Sequence, residues 1–274
     1  MTRIGISAVL RDEEKNLSQF FYSLESLENC EEVASVSYSF YENDSGDGTP
    51  VQLIQWLCGR HYVFKSEKRG WPRFKGKDNR RTQLLARARN TSLLNLMQNQ
   101  LDYVVIVDVD ISIELKHYLG LIHMLRDNDN AVMACASSVQ PRQAIDTGNP
   151  TSYYDSWALI DRFGRPAIAG LEIPFLSKDD RESWLRGDPV SVQSAFGGLA
   201  VVKASAIRQQ KALWDGRSGC EHWQFCKSLL RAGEILVSPN LKPSADSGWD
   251  GHPFNPQYVE SVKNLLQNEG IYST

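Results

Sequence analysis

A chain of 274 residues, 42% of them hydrophobic, is long enough to bury a sizeable core, and its net charge of −3 gives no pull toward nucleic acid or a membrane surface. Its five cysteines (Cys30, Cys58, Cys135, Cys220, Cys226) are odd in number and lack Cys-x-x-Cys or Cys/His ligand spacing, which reads as free thiols in a reducing compartment. With no signal-peptide pattern and no long apolar run, the expectation is a soluble, cytoplasmic protein without a membrane span.

Ile4 to Leu10 reads as a short apolar strand, followed by a polar turn, Arg11 to Asn16, and a helix with apolar positions at Leu17, Phe20, Phe21, Leu24 and Leu27. That turn lacks the glycines of a phosphate-cradling loop, so neither a P-loop nor a dinucleotide fingerprint is present. Val33 to Tyr41 alternates as a strand and runs into Glu42-Asn43-Asp44-Ser45-Gly46-Asp47-Gly48-Thr49-Pro50. Thr49 and Pro50 predict a helix start. The carboxylates Glu42 and Asp44 suit a nucleobase N–H and ribose hydroxyls, although Asp-Gly and Ser-Gly are also plain turn residues. A third strand, His61 to Ser66, leads into a stretch from Lys65 to Arg81 with eight Lys or Arg. Such a loop is either a solvated surface or a local positive potential for a diphosphate. A helix from Arg80 to about Gln98 then carries Arg87, Arg89 and Asn90.

Val104-Val105-Ile106-Val107 reads as a strand buried on both faces, and Asp108-Val109-Asp110 follows where it runs out. Open α/β sheets bind ligands at the carboxyl ends of their strands. Two hard-oxygen ligands there suit Mn²⁺ or Mg²⁺ shared with substrate phosphates; alternatively one Asp caps the next helix and the other is solvated. A helix over 113–126 and a strand over 131–136 complete an alternation that predicts a parallel, doubly wound sheet through about residue 140. Beyond it the pattern loosens into a mixed α+β half: a strand over Tyr153 to Leu159, a long polar loop over 162–190, and strand, turn, strand around Gly197-Gly198. A helix opens at Gly219-Cys220-Glu221, a strand follows at Glu234 to Ser238, and a last helix spans Pro256 to Asn268. The organisation expected is one continuous α/β domain, with a nucleotide-binding half over 1–140 and an acceptor-binding, catalytic half over 141–274.

The motifs Tyr41 to Thr49, Leu85-Ala86-Arg87-Ala88-Arg89-Asn90, Asp108–Asp110, Tyr153-Tyr154-Asp155-Ser156-Trp157, Phe196-Gly197-Gly198 and Cys220-Glu221-His222 stand in one order across residues 4–240. In that order the chain resembles GT-A-fold nucleotide-sugar glycosyltransferases, and among them the fungal capsule-associated α-1,3-mannosyltransferase family. The resemblance implies a GT-A-like, mainly parallel central sheet flanked by helices, a nucleoside-diphosphate sugar donor, a glycan or glycoprotein acceptor, and Mn²⁺ or Mg²⁺. It implies Asp110 as direct metal ligand, Asp108 at the metal or ribose, and His252 as a further ligand. Ala8, Arg11, Glu42 and Asp44 would hold base and ribose, Arg89 would brace the Asp-Val-Asp loop or a phosphate, and Gly197-Gly198 would approach the donor sugar. Glu221 would sit beside the acceptor, where it is the candidate general base. Separately, the flat rings of Trp157 and Trp223 are candidates to wall the sugar or acceptor site, or else are ordinary core residues. An expected absence of their membrane anchor and the intact Asp-Val-Asp set the chain apart from the fungal relatives, so the donor stays open between UDP- and GDP-linked sugars. Two other readings compete: a sugar-1-phosphate nucleotidyltransferase, which would want a Gly-rich loop with Lys after the first strand, and a non-catalytic nucleotide- or carbohydrate-binding protein, which would need neither Asp110 nor Glu221.

Overall fold

The computed structural model describes residues 1–74, 76–245 and 254–271. In chain order the first half contains β1 (Thr2–Leu10), α1 (Glu14–Glu28), β2 (Val33–Asn43), α2 (Thr49–Leu57), β3 (Tyr62–Glu67), α3 (Asn79–Leu96), β4 (Tyr103–Val107), β5 (Ile111–Ser112), α4 (Leu115–Arg126) and β6 (Ala131–Cys135). The second half contains β7 (Val139–Gln140), β8 (Ser152–Tyr153), β9 (Ile160–Asp161), α5 (Lys178–Arg186), β10 (Val190–Ser194), β11 (Leu199–Lys203), α6 (Ala204–Gln210), α7 (His222–Leu229), β12 (Glu234–Val237), β13 (Ser244–Ala245) and α8 (Pro256–Asn268).

A nine-stranded sheet in the order β3-β2-β1-β4-β11-β6-β12-β10-β9 forms the frame. Strands β3, β2, β1 and β4 are mutually parallel, as the strand–helix alternation predicts. Val104 to Val107 of β4 are at most 1% exposed, because helices cover both faces of the sheet at this strand. Burying each such side chain contributes about 1.5–3 kcal/mol, so β4, with the equally buried β11 and β6 beside it, forms the apolar middle of the sheet.

Beyond β4 the structure departs from the predicted run of parallel strands. β11, from the second half of the chain, pairs antiparallel with both β4 and β6 and separates them. The Gly197-Gly198 turn therefore does not close a hairpin: β10 and β11 stand three places apart in the sheet. Two other expectations also give way. The segment from Tyr153 is a strand only over β8 and then turns, and the supposed loop over 162–190 contains α5. That helix has ordinary signals. The Ser177 side chain accepts from the Asp180 amide, acids fill the first turn, and Gly187 ends the helix at φ 85°. A second, four-stranded sheet (β5-β13-β7-β8) borders the end of β4.

Helix α3 sets the depth of the future site. Its buried side carries the small residues Ala88 and Ser92 next to Leu93 and Leu96, which pack with Val104 and Ile106. The Ser92 hydroxyl lies 2.8 Å from that of Ser7 on β1 and donates to the Ser39 carbonyl of β2 at 2.5 Å. This close seating carries Arg89, one turn earlier on the same face, into the crevice at the strand ends.

Candidate active site

A cavity of about 430 Å³ opens at the carboxyl ends of β1, β2 and β4. Arg11, Asn43, Trp71, Arg73, Arg81, Arg89, Asp108, Asp110, Asp155, Trp157, Glu221 and His222 are among the residues that line it. It lies where an open α/β sheet places a ligand.

Arg89 is the hub. It is nearly inaccessible, and its guanidinium donates from Nη2 to Asp108 Oδ1 at 3.0 Å and from Nε to Glu221 Oε1 at 3.4 Å. It also lies 4.8 Å from the centroid of the Phe196 ring. A buried cation is tolerable when paired on both sides, as here. Glu221 stands directly before α7, yet its carboxylate makes no capping hydrogen bond to that helix; Arg89 holds it instead.

The segment behind Asp108 is fixed by backbone. The Asp108 amide donates to the Gly198 carbonyl at 2.9 Å, and both Gly197 (φ 67°) and Gly198 (φ 74°) occupy the left-handed region. A Cβ at Gly197 would overlap the Ala136 carbonyl oxygen, and one at Gly198 would meet Ile111. The two glycines thus buttress the Asp-Val-Asp turn from behind and are not part of the cavity wall. Asp155, which sequence reasoning did not single out as a site residue, accepts from the Gly197 amide at 3.3 Å and from the Ala158 amide at 3.4 Å. Burial, reinforced by the charges of Asp108 and Glu221, pushes its carboxyl up to about 7. Its signal in the sequence is its place inside Tyr153-Tyr154-Asp155-Ser156-Trp157.

The acidic tip after β2 turns inward on the protein. Glu42 is buried and accepts from the Ser45 amide at 2.8 Å and from the Ser66 hydroxyl. Asp44, at φ 58°, accepts from the amides of Arg69 (2.6 Å), Gly70 (2.7 Å) and Trp71 (3.1 Å). Burial raises its carboxyl, but the Asn43 side chain and these amides outweigh that and bring it down to about 2. The carboxylate thereby holds the basic loop, whose Trp71, Pro72, Arg73 and Phe74 form one wall of the cavity. Arg11 donates to the Trp71 carbonyl at 2.9 Å, and Arg73 pairs with Asp12. Ala8 is buried within β1 and stands behind the wall formed by Val9, Leu10 and Arg11.

Of the two tryptophans, Trp157 lines the cavity, and Trp223 supports it by donating to the Trp157 carbonyl at 3.2 Å. Trp71 is a further aromatic wall that the charge pattern of its loop concealed. His252 lies outside the described residues. Among the described residues no three or more His, Cys, Asp or Glu form a metal cage. Mn²⁺ and Mg²⁺ need none, since one or two carboxylates plus substrate phosphates suffice, and the donor set of Asp108 and Asp110 fits that requirement. All five cysteines are free thiols, and no described helix is long and apolar enough to cross a membrane.

The sheet order, with an antiparallel strand set beside an Asp-x-Asp strand end, belongs to the GT-A fold class. Solved structures of that class superpose on the whole chain. S. aureus TarS residues 1–349 gives a TM-score of 0.51 at 13% identity, and the mannosyltransferase PcManGT from Pyrobaculum calidifontis, in complex with GDP-Man and Mn²⁺, gives 0.53 at 12%. TarS bound to UDP-GlcNAc gives 0.53 at 13%. Each comparison covers 100% of this chain, which spans 66% of the first neighbour's length, 65% of the second's and 67% of the third's. At these identities the likeness is one of fold. The chain belongs to the Cryptococcal mannosyltransferase 1 family, whose model matches residues 3–232. No curated protein matches it in sequence.

Proposed function

We propose that the protein moves a hexose from a UDP- or GDP-linked donor to a hydroxyl of a glycan or glycoprotein acceptor, in a reaction dependent on Mn²⁺ or Mg²⁺. The observation that carries this reading is the convergence of Asp108, Asp110, Arg89 and Glu221 on one cavity walled by a basic loop. The nucleoside takes the end between β1 and β2, against Arg11 and Asn43, with Ala8 and Glu42 shaping it from behind and Asp44 acting through the loop it holds. Arg73 and Arg81 face the diphosphate, and Arg89 braces Asp108. Gly197 and Gly198 keep the Asp-Val-Asp turn close to the donor sugar. Asp110, with Asp108, would hold the cation, which when bound offsets the charge gathering on the leaving diphosphate.

Trp157, propped by Trp223, offers an apolar ring face to pyranose C–H groups. Glu221 takes the proton of the acceptor hydroxyl as its oxygen bonds the anomeric carbon. The bond from that carbon to the diphosphate oxygen breaks, and the electron pair leaves with the nucleotide. Glu221→Gln keeps the shape and removes the base. Sugar transfer should fall by about 10²–10⁴ while calorimetric donor affinity stays nearly unchanged. Transfer at the wild-type rate would reject the role, and a product of retained anomeric configuration would move Glu221 to acceptor binding.

A further inference from the structure

His222 follows Glu221 and is buried on every side. Its imidazole stacks on Phe196, with centroids 4.2 Å apart and planes 15° from parallel. Its Nδ1 accepts from the Trp214 indole Nε1–H at 3.2 Å. An indole nitrogen only donates, so Nδ1 carries no proton in this arrangement. The ring proton is then on Nε2, which lies 3.6 Å from Glu221 Oε1. That distance is longer than a hydrogen bond, but catalytic contacts are commonly long in a ligand-free protein and tighten once substrate is bound.

Trp214 is itself fixed. Its ring stacks on Phe225 at 4.1 Å and 2°, and its backbone N–H and carbonyl are both held by the Asn90 side chain of α3, at 2.9 and 3.0 Å. Arg89, on the same helix, donates to the same Glu221 Oε1 that His222 faces. Both directing groups therefore meet one oxygen. The other, Oε2, has among the described residues only the weakly donating Cys220 thiol as a hydrogen-bond partner, at 3.8 Å. It is the oxygen left for an acceptor.

We propose that His222 is a positioning residue whose Nε2–H, set by the Trp214 indole, works with Arg89 to fix Oε1 of Glu221 and turn Oε2 toward the acceptor hydroxyl. This rests on the reading of Glu221 given above. Burial, and after it the nearby Arg89 charge, hold the His222 ring well below its usual titration range, so the imidazole serves as a neutral donor and not as the base.

The test uses the full chain, with the histidine ring nitrogens observed by ¹⁵N NMR and transfer kinetics measured in parallel. The wild-type ring at pH 7 should be neutral with its proton on Nε2. Trp214→Phe keeps an aromatic ring for the Phe225 stack but removes the indole donor, and the Nδ1–H form should appear. His222→Phe keeps a ring for the Phe196 stack and removes the N–H. Its kcat should fall about 10²-fold, the scale of a misplaced catalytic group, with donor Kd unchanged. His222→Gln restores an N–H near the same point and should recover most of that loss. A wild-type ring that is charged or protonated on Nδ1 overturns the proposal, as do Phe and Gln variants of equal kcat. Glu221→Gln separates the two levels. A normal His222→Phe protein beside an impaired Glu221→Gln protein refutes only the positioning role. A Glu221→Gln protein that transfers normally refutes the reading of Glu221 itself.

Discussion

Three carboxylates and one guanidinium share the deep end of the cavity, and they differ in how their charge is met. Asp108 and Glu221 are paired with Arg89. Among the described residues Asp155 receives two long amide hydrogen bonds, and it faces the other two acids. Its carboxyl is pushed up to about 7, above the roughly 3.9 of an unfolded chain. The sign follows: between about pH 4 and about 7 the native state holds a proton that the unfolded chain has released, so this group lowers stability as pH rises through that window. Asp155→Asn keeps an acceptor for the amides and cannot ionise. In urea denaturation without divalent cation, the variant should gain stability over wild type at pH 8 and show little gain at pH 4. An equal gain at both would mean that the ionisation of Asp155 is not what costs stability. Asp155 was hard to read from sequence because Tyr153 to Leu159 reads as a strand in which a single acid carries no special signal; its environment comes from Asp108 and Glu221, distant in the chain.

At the scale of elements, the loop between β3 and α3 carries the wall of the cavity, and one side chain holds it. The sequence marks this loop by its charge but says nothing of its anchor. The acids after β2 look outward to a ligand, whereas Asp44 spends both oxygens on the loop. Hydrogen bonds to a charged acceptor contribute about 1.5–3 kcal/mol each, and every 1.4 kcal/mol is about a tenfold change in an opening equilibrium. Asp44→Ala should therefore raise the rate of tryptic cleavage within residues 68–77 by at least about tenfold, with little change in global thermal stability. Unchanged cleavage would show that the Arg11 contact to Trp71 and the pairing of Arg73 with Asp12 hold the loop alone. Helices α1, α3 and α4 were legible because their apolar positions repeat at helical spacing over three or more turns. α5 was missed because its composition is polar and only two of its residues, Asp180 and Trp184, are buried; its Ser177 and Gly187 end signals were the clue.

Across the whole molecule, the feature that local pattern could not supply is the place of β11. Its sequence, Leu-Ala-Val-Val-Lys, says that it is buried, and nothing local says between which strands. By lying between β4 and β6 it makes the two halves of the chain share one sheet and one core. Residues 1–140 alone would expose the edge of β4 and leave β6 without either neighbour. That fragment should show no cooperative unfolding transition, while the full chain shows one; a folded fragment would mean that the first half is independent.

In the proposed function, the Asp108–Asp110 strand end binds a nucleoside-diphosphate sugar together with a divalent cation. That binding is tested most directly by titrating a panel of UDP- and GDP-linked hexoses into wild type and Asp110→Asn by calorimetry, with and without Mn²⁺. At least one donor should bind the wild type in the presence of Mn²⁺ and weaken at least about tenfold, roughly 1.4 kcal/mol, when the cation is removed. The same loss should follow from Asp110→Asn in a protein whose thermal stability is unchanged. Binding equal in wild type and variant, or indifferent to Mn²⁺, would contradict the proposed function.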